Sequence, residues 1–203
     1  EFLRSNCGRN CGIKDPDEYY AYAKHVSRLD FFCMSDHHRD PQWALTPKGW
    51  QYRIETAQKW GSADFTPILG CEYVRNDSGH WIAYFREAAP ALPPAECEPL
   101  PRIQQTLKRR YDRAMLIPHQ VPTLAGSPIH WELYDPELSP LVEIYSHWGS
   151  GEYFGNPLQC REVDVNPECF VDGALKKGRK MGFFGSTDEI GRASCRERVY
   201  TKV

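Results

Sequence analysis

Five apolar runs in this chain stop on residues able to bind metals or move protons. "LDFFCM" leads to Ser35, Asp36, His37 and His38, "PILGC" runs into Glu72, and "AMLIP" ends at His119. "LVEIY" passes through Ser146 to His147, and "KMGFFG" passes through Ser186 and Thr187 to Asp188. One polar residue leaving an apolar run is ordinary, whereas several runs that all end on His, Asp or Glu suggest a shared site. Carboxylates brought together out of water repel one another and are costly to desolvate. A divalent cation resolves both difficulties and accepts imidazole nitrogen as well. Mixed His and Asp/Glu ligation suits zinc, manganese or iron. Water bound to such an ion ionises near pH ~7 and becomes a nucleophile. No serine occupies a GxSxG elbow and no cysteine stands beside an obvious base, so a covalent triad is the weaker chemistry.

The residues are not equal candidates. His37 follows its apolar run so closely that a ligand role is expected, while His38 is expected to support it or face solvent. Asp36 is placed to orient a ligand or carry a proton. His119, after four apolar residues and Pro118, reads as a ligand rather than a core histidine. His80 is balanced between a ligand and a plain strand residue, and His147 is weaker still. His25 and His130 read as surface residues.

The elements that must position these groups are legible in outline. Asp15, Pro16 and Glu18 form a helix-start signature, after which Tyr19, Tyr22, Ala23 and Val26 repeat at helical spacing as one apolar face. Thr46 and Pro47 start a second helix running to about Trp60, with Gly61 as its stop. "FTPILGCEYV" reads as a strand and Asn76–Gly79 as a hairpin turn into "HWIAYF". Residues 87–101 read as a proline-rich loop, "IQQTLKRRY" as a basic helix, and "AMLIPH" and "LVEIYS" as strands. Asn166 and Pro167 open a last helix that Gly178 closes, before a final strand in "KMGFFGSTD". This alternation predicts a mostly parallel sheet with helices outside it. In a parallel barrel the working residues sit at the C-terminal ends of the strands.

Bulk properties narrow the class. With 203 residues, 41% of them hydrophobic and 26% charged, the chain suits one globular domain. A formal net charge of −2 gives no attraction for a nucleic-acid backbone, and no apolar run approaches the ~20 residues of a membrane span. Eight irregularly spaced cysteines without a CxxC favour reduced structural thiols and a cytoplasmic location over a disulfide framework. Cys7 and Cys11 make only a weak metal pair.

The strand ends resemble those of the PHP (polymerase and histidinol phosphatase) superfamily. "LDFFCMSDHH" is similar to its "LDFLAITDH" motif, which puts His37 at the metal-binding histidine with Asp36 beside it. "PILGCE" is similar to its "GxE" motif and puts Glu72 at the ligating carboxylate. "GHWIAYF" resembles the segment that follows and makes His80 a candidate; "AMLIPHQ" and "GFFGSTD" resemble later motifs and give His119 and Asp188. "LVEIYSHWGSGE" looks like the "VEIYSxHGxSE" of a PHP-like branch known mainly as a domain of unknown function. The resemblance implies a distorted (β/α)7 TIM-like barrel, incomplete at both ends. It implies two or three divalent metal ions on His37, Glu72, His80, His119 and Asp188, with Asp36 and Asp188 in catalytic roles. The implied reaction is metal-assisted hydrolysis of a small-molecule substrate, a phosphoester in the best-known members. Arg39, Arg53 and Arg75 could clamp a phosphate, although exposed loop arginines are usually just solvated.

Two departures qualify the match. Family members open with an HxH, where this chain has Phe2 and Arg4. A histidine is expected two residues after Asp188, where Ile190 stands. "EIGRASCRERVY" (189–200) resembles translated sequencing adapter, so the expected division is a partial hydrolase domain over 1–188 and a non-native tail over 189–203. A catalytically inactive barrel acting as a binding module is the alternative. An amidohydrolase-like enzyme is a third, but no strand end carries the lysine that would favour it.

Overall fold

The computed structural model describes residues 15–35, 37–38, 45–124, 127–146, 148–160 and 166–186. Asp36, Arg39, His147, Asp188 and the segments 1–14 and 189–203, and with them the Cys7–Cys11 pair and the proposed tail, lie outside the described residues.

Helix α1 (Pro16–Ala21) begins where the sequence indicates. The Asp15 side chain accepts from the Asp17 amide at 2.8 Å, and Pro16 sits in the first turn, where a missing N–H costs nothing. The helix then widens into a π turn over Tyr22–Val26. A π turn holds more residues than an α turn, so the expected apolar stripe does not stay in line. Tyr19 and Ala23 are buried, but so is Tyr20, and Val26 is 62% exposed. Strand β1 (Phe31–Met34) follows, then α2 (Pro47–Trp60), whose first turn is capped by Thr46 Oγ1 accepting from Gly49 N at 3.0 Å. Trp50, Ile54 and Ala57 recur at helical spacing and are its buried stripe.

Strands β2 (Thr66–Arg75) and β3 (Gly79–Phe85) form a hairpin closed at Gly79, whose φ of +91° favours glycine. Helix α3 (Leu100–Arg110) leads to β4 (Ala114–His119), and β5 (Leu141–Ser146), the short β6 (Gly149–Ser150), α4 (Val171–Lys176) and β7 (Gly182–Gly185) complete the described elements. The last helix is shorter than the sequence suggests. Asn166 does cap a turn, but that turn is a 3-10 segment (Pro167–Cys169), and extended Phe170 separates it from α4.

The expected (β/α)7 barrel is not what forms. The described strands make two open sheets, ordered β1-β2-β3-β4 and β6-β5-β7. Only β1–β2 and β5–β7 pair in parallel, whereas β2–β3, β3–β4 and β5–β6 are antiparallel. The cause is the hairpin itself: a tight turn after β2 returns the chain antiparallel, where a barrel needs a helical crossover. The sheets meet where Leu116 N donates to Leu138 O at 2.8 Å and Ser139 Oγ donates to Leu116 O, without a continuous ladder.

The first sheet has two unlike faces. Leu69, Cys71 and Tyr73 of β2, with their partners Phe85, Ala83 and Trp81 of β3, belong to the main core cluster with Trp50, Ile54, Ile103 and Leu107 of the helices. Trp50 meets Phe85 edge to face at 5.8 Å. Side chains alternate along a strand, so Glu72 points to the opposite face. Among the described residues, no helix is long and apolar enough to cross a membrane.

Candidate metal centre

Strand register brings four of the sequence candidates onto the face away from the helices. After β1 the chain rejoins β2 through a parallel bridge, His37 opposite Glu72, and His38 N donates to Glu72 O at 2.8 Å. Across the hairpin His80 is the partner of Val74, two residues from Glu72 and therefore on its face. His80 is in turn directly opposite His119 of β4. One residue from each of four adjacent chain segments thus points to a common place.

Glu72 is the hub. Its Oε2 lies 3.1 Å from His37 Nε2, and its Oε1 lies 3.1 Å from His80 Nδ1 and 3.9 Å from His119 Nε2. Glu72, His80 and His119 are buried, while the His37 side chain is 37% exposed and forms the open side. Burial alone pushes the Glu72 carboxyl up. The charge of His119 and the hydrogen bonds of His37 and His80 outweigh it and hold the group well below the usual carboxylate range. The hub is an ionised carboxylate under a roof of imidazoles.

Sequence reasoning missed Glu143. It is the third residue of β5, is 3% exposed, and places Oε1 2.8 Å from His119 Nδ1. This is an ion-pair contact whose alignment falls outside hydrogen-bond geometry. Ser186, just past β7, donates its hydroxyl to Glu143 Oε2. A search confined to strand ends could not find a mid-strand residue. The available signal was a carboxylate flanked by Val142 and Ile144 in an otherwise apolar strand.

The remaining candidates sit elsewhere. The His38 ring lies face to face with Tyr73 of the helix-covered face, with centroids 5.7 Å apart, and its burial disfavours the protonated form. His130 is a surface residue near Glu132, and His25 lies against Trp60. Arg75 is no phosphate clamp. It is 7% exposed and donates to Asp77, to Ser78 Oγ, and to the carbonyls of Glu96 and Glu98. Arg53 belongs to the surroundings of buried His38 and Cys71. Cys160 feels the charges of Glu143 and His119, but burial first, then Glu143, pushes its thiol up to about 11, so it stays protonated near neutral pH. Asp36 and Asp188, the two catalytic candidates, lie outside the described residues.

Among the described residues no three His, Cys, Asp or Glu side chains are already set to hold an ion. The donor chemistry nevertheless fits one. Two ligands on one cation with bonds of ~2.1 Å stand roughly 3.0–3.4 Å apart at the usual angles, and Glu72 meets His37 and His80 at 3.1 Å. The wider 3.9 Å to His119 is too long for a hydrogen bond but short enough for both atoms to reach one cation.

No family model matches the chain. An uncharacterized protein from Chlamydia trachomatis serovar D is 26% identical over 174 residues, which cover 80% of this chain and 27% of that protein. The chain therefore spans about a quarter of that relative's length. The crystal structure of PsfC from Pseudomonas syringae PB-5123 aligns with a TM-score of 0.51 at 13% identity, over 85% of this chain and 66% of that one. The likeness to PsfC is one of fold.

Proposed function

We propose that this chain carries the metal site of a metal-dependent hydrolase. The observation that carries the proposal is the ionised, buried Glu72 carboxylate, whose two oxygens face histidines from separate chain segments. His37, Glu72, His80 and His119 would hold a divalent ion of the zinc, manganese or iron class. The resemblance to PHP motifs supports the same residues and adds further ions through Asp188. A bound ion supplies a water acidified to about pH 7 as nucleophile.

The protein's own residues do the rest. Glu72 offers one oxygen to each side of the site, and buried His80 and His119 keep water from its inner flank. Half-exposed His37 leaves the approach for a small-molecule substrate. A phosphoester is the substrate class the motif resemblance favours; because Arg75 is locked into the fold, an anionic group would be met at the ion and His37. The cytoplasmic location expected from the cysteine pattern belongs to the same proposal.

The test is metal titration with zinc or manganese by calorimetry, alongside turnover of p-nitrophenyl phosphate. Glu72→Gln and His119→Ala should each weaken binding by roughly tenfold or more and abolish turnover. Binding by both variants as tight as that of the unaltered chain would overturn the assignment. Binding without turnover by the unaltered chain would favour the binding-module alternative.

A further inference from the structure

Glu143 and Ser186 lie outside the donor set, on the second sheet, yet one end of this pair touches His119. We propose that Glu143, held in place by Ser186, is a positioning residue that fixes His119 with its proton on Nδ1 and its lone pair on Nε2. The proposal rests on the reading of Glu72 and its histidines as a metal site.

The geometry carries it. Nδ1 and Glu143 Oε1 are 2.8 Å apart. An unprotonated nitrogen that close to a carboxylate oxygen would be repelled, so the nitrogen carries a hydrogen even though the contact is not aligned as a full hydrogen bond. With Nδ1 keeping its hydrogen, the proton that His119 gives up on taking an ion is the one on Nε2, whose lone pair is then free to bind. That nitrogen, Nε2, lies 3.9 Å from Glu72 Oε1. A bare lone pair that close to an ionised carboxylate is unfavourable unless a proton or a cation lies between them. The arrangement therefore prepares His119 to donate electrons toward the Glu72 side of the site.

Ser186 contributes direction. Its hydroxyl occupies Glu143 Oε2, and its own backbone N donates to Tyr145 O at 2.9 Å, which anchors it to β5. Oε1 is left for the histidine. Carboxylates behind metal-binding histidines act this way, and their loss weakens metal binding by roughly 10–100-fold.

A purely structural role is the competing explanation, since the contact also joins the two sheets. The experiment reads the tautomer first. In 15N-labelled full chain, long-range 1H–15N correlations should show His119 protonated at Nδ1. Glu143→Gln should shift that population toward Nε2–H and weaken zinc binding by roughly 10-fold or more, with its thermal midpoint little changed. Ser186→Ala should shift both quantities in the same direction and by less. Glu143→Asp, which keeps the charge, should retain the Nδ1–H tautomer and recover part of the affinity. An Nε2–H tautomer in the unaltered chain overturns the proposal. So does a Glu143→Gln variant that loses stability while its tautomer and affinity stay put. If the unaltered chain binds no zinc, the metal reading fails, and the tautomer shift alone decides whether Glu143 positions His119.

Discussion

Glu72 should leave a signature in acid. Its carboxyl is held below its ordinary value in the folded chain, so the stabilisation it gives is fully present above the unfolded value of about 4.3 and disappears as pH falls through the folded one. Urea midpoints measured from pH 6 downward should therefore fall steeply below pH ~4 in the unaltered protein. They should fall less steeply in Glu72→Gln, which has no carboxyl to protonate. Parallel curves for the two proteins would mean that Glu72 is not the ionised hub. The sequence offered Glu72, His37, His80 and His119 because each follows or interrupts an apolar run. Glu143 also interrupts such a run, but it sits inside LVEIY rather than at its end, and attention to the residues that close each run passed it by. Neighbouring Val142 is fully buried too, so β5 is covered on both faces at this point and a glutamate there must find a partner.

At the scale of elements, the proline-rich loop between β3 and α3 is tied down at every few residues. Trp50 Nε1 donates to Pro90 O at 2.8 Å, Tyr111 Oη to Leu92 O at 2.9 Å, and Tyr73 Oη to Pro94 O at 3.1 Å. Arg75 closes the series on the carbonyls of Glu96 and Glu98. Proline has no N–H to contribute, so such a loop must be held through its carbonyls. Arg75→Met keeps most of the apolar stem and removes every donor. It should cost about 1–3 kcal/mol in denaturant unfolding, from part-buried acceptors left unmatched. The KM for an anionic substrate should not move. A rise in KM with unchanged stability would restore Arg75 as a substrate clamp. Arginine next to a hairpin turn looked equally suited to either role in the sequence, because the loop that claims it begins more than ten residues later. The π turn after α1 was hidden for a related reason: nothing in the spacing of Tyr19, Tyr22, Ala23 and Val26 marks where a helix will widen.

For the whole molecule, the alternation of strands and helices predicted a mostly parallel sheet and the motif resemblance implied a closed barrel, and the β2–β3 hairpin was the overlooked contradiction. Asn76–Gly79 was legible as a hairpin turn, and a hairpin cannot link neighbouring parallel strands. What results is two sheets that meet between β4 and β5 over a shared core, with Leu116 and Leu138 bonded through the backbone, Ser139 bonded to Leu116, and the His119–Glu143 contact nearby. A ligand held by the first sheet should therefore be felt in the second through Glu143. Zinc at a hundred times its dissociation constant should raise global stability by about 2.7 kcal/mol, and a chelator should reverse it. Hydrogen exchange should show the resolution within that figure. In the unaltered chain, zinc should slow exchange at amides of β2, β3 and β4 and also of β5 and β7. In Glu143→Gln, measured at a zinc concentration raised to restore the same occupancy, protection should persist in β2–β4 and shrink in β5 and β7. If β5 and β7 respond equally in both proteins, the sheets communicate through their backbone contacts instead, and Glu143 acts only locally on His119.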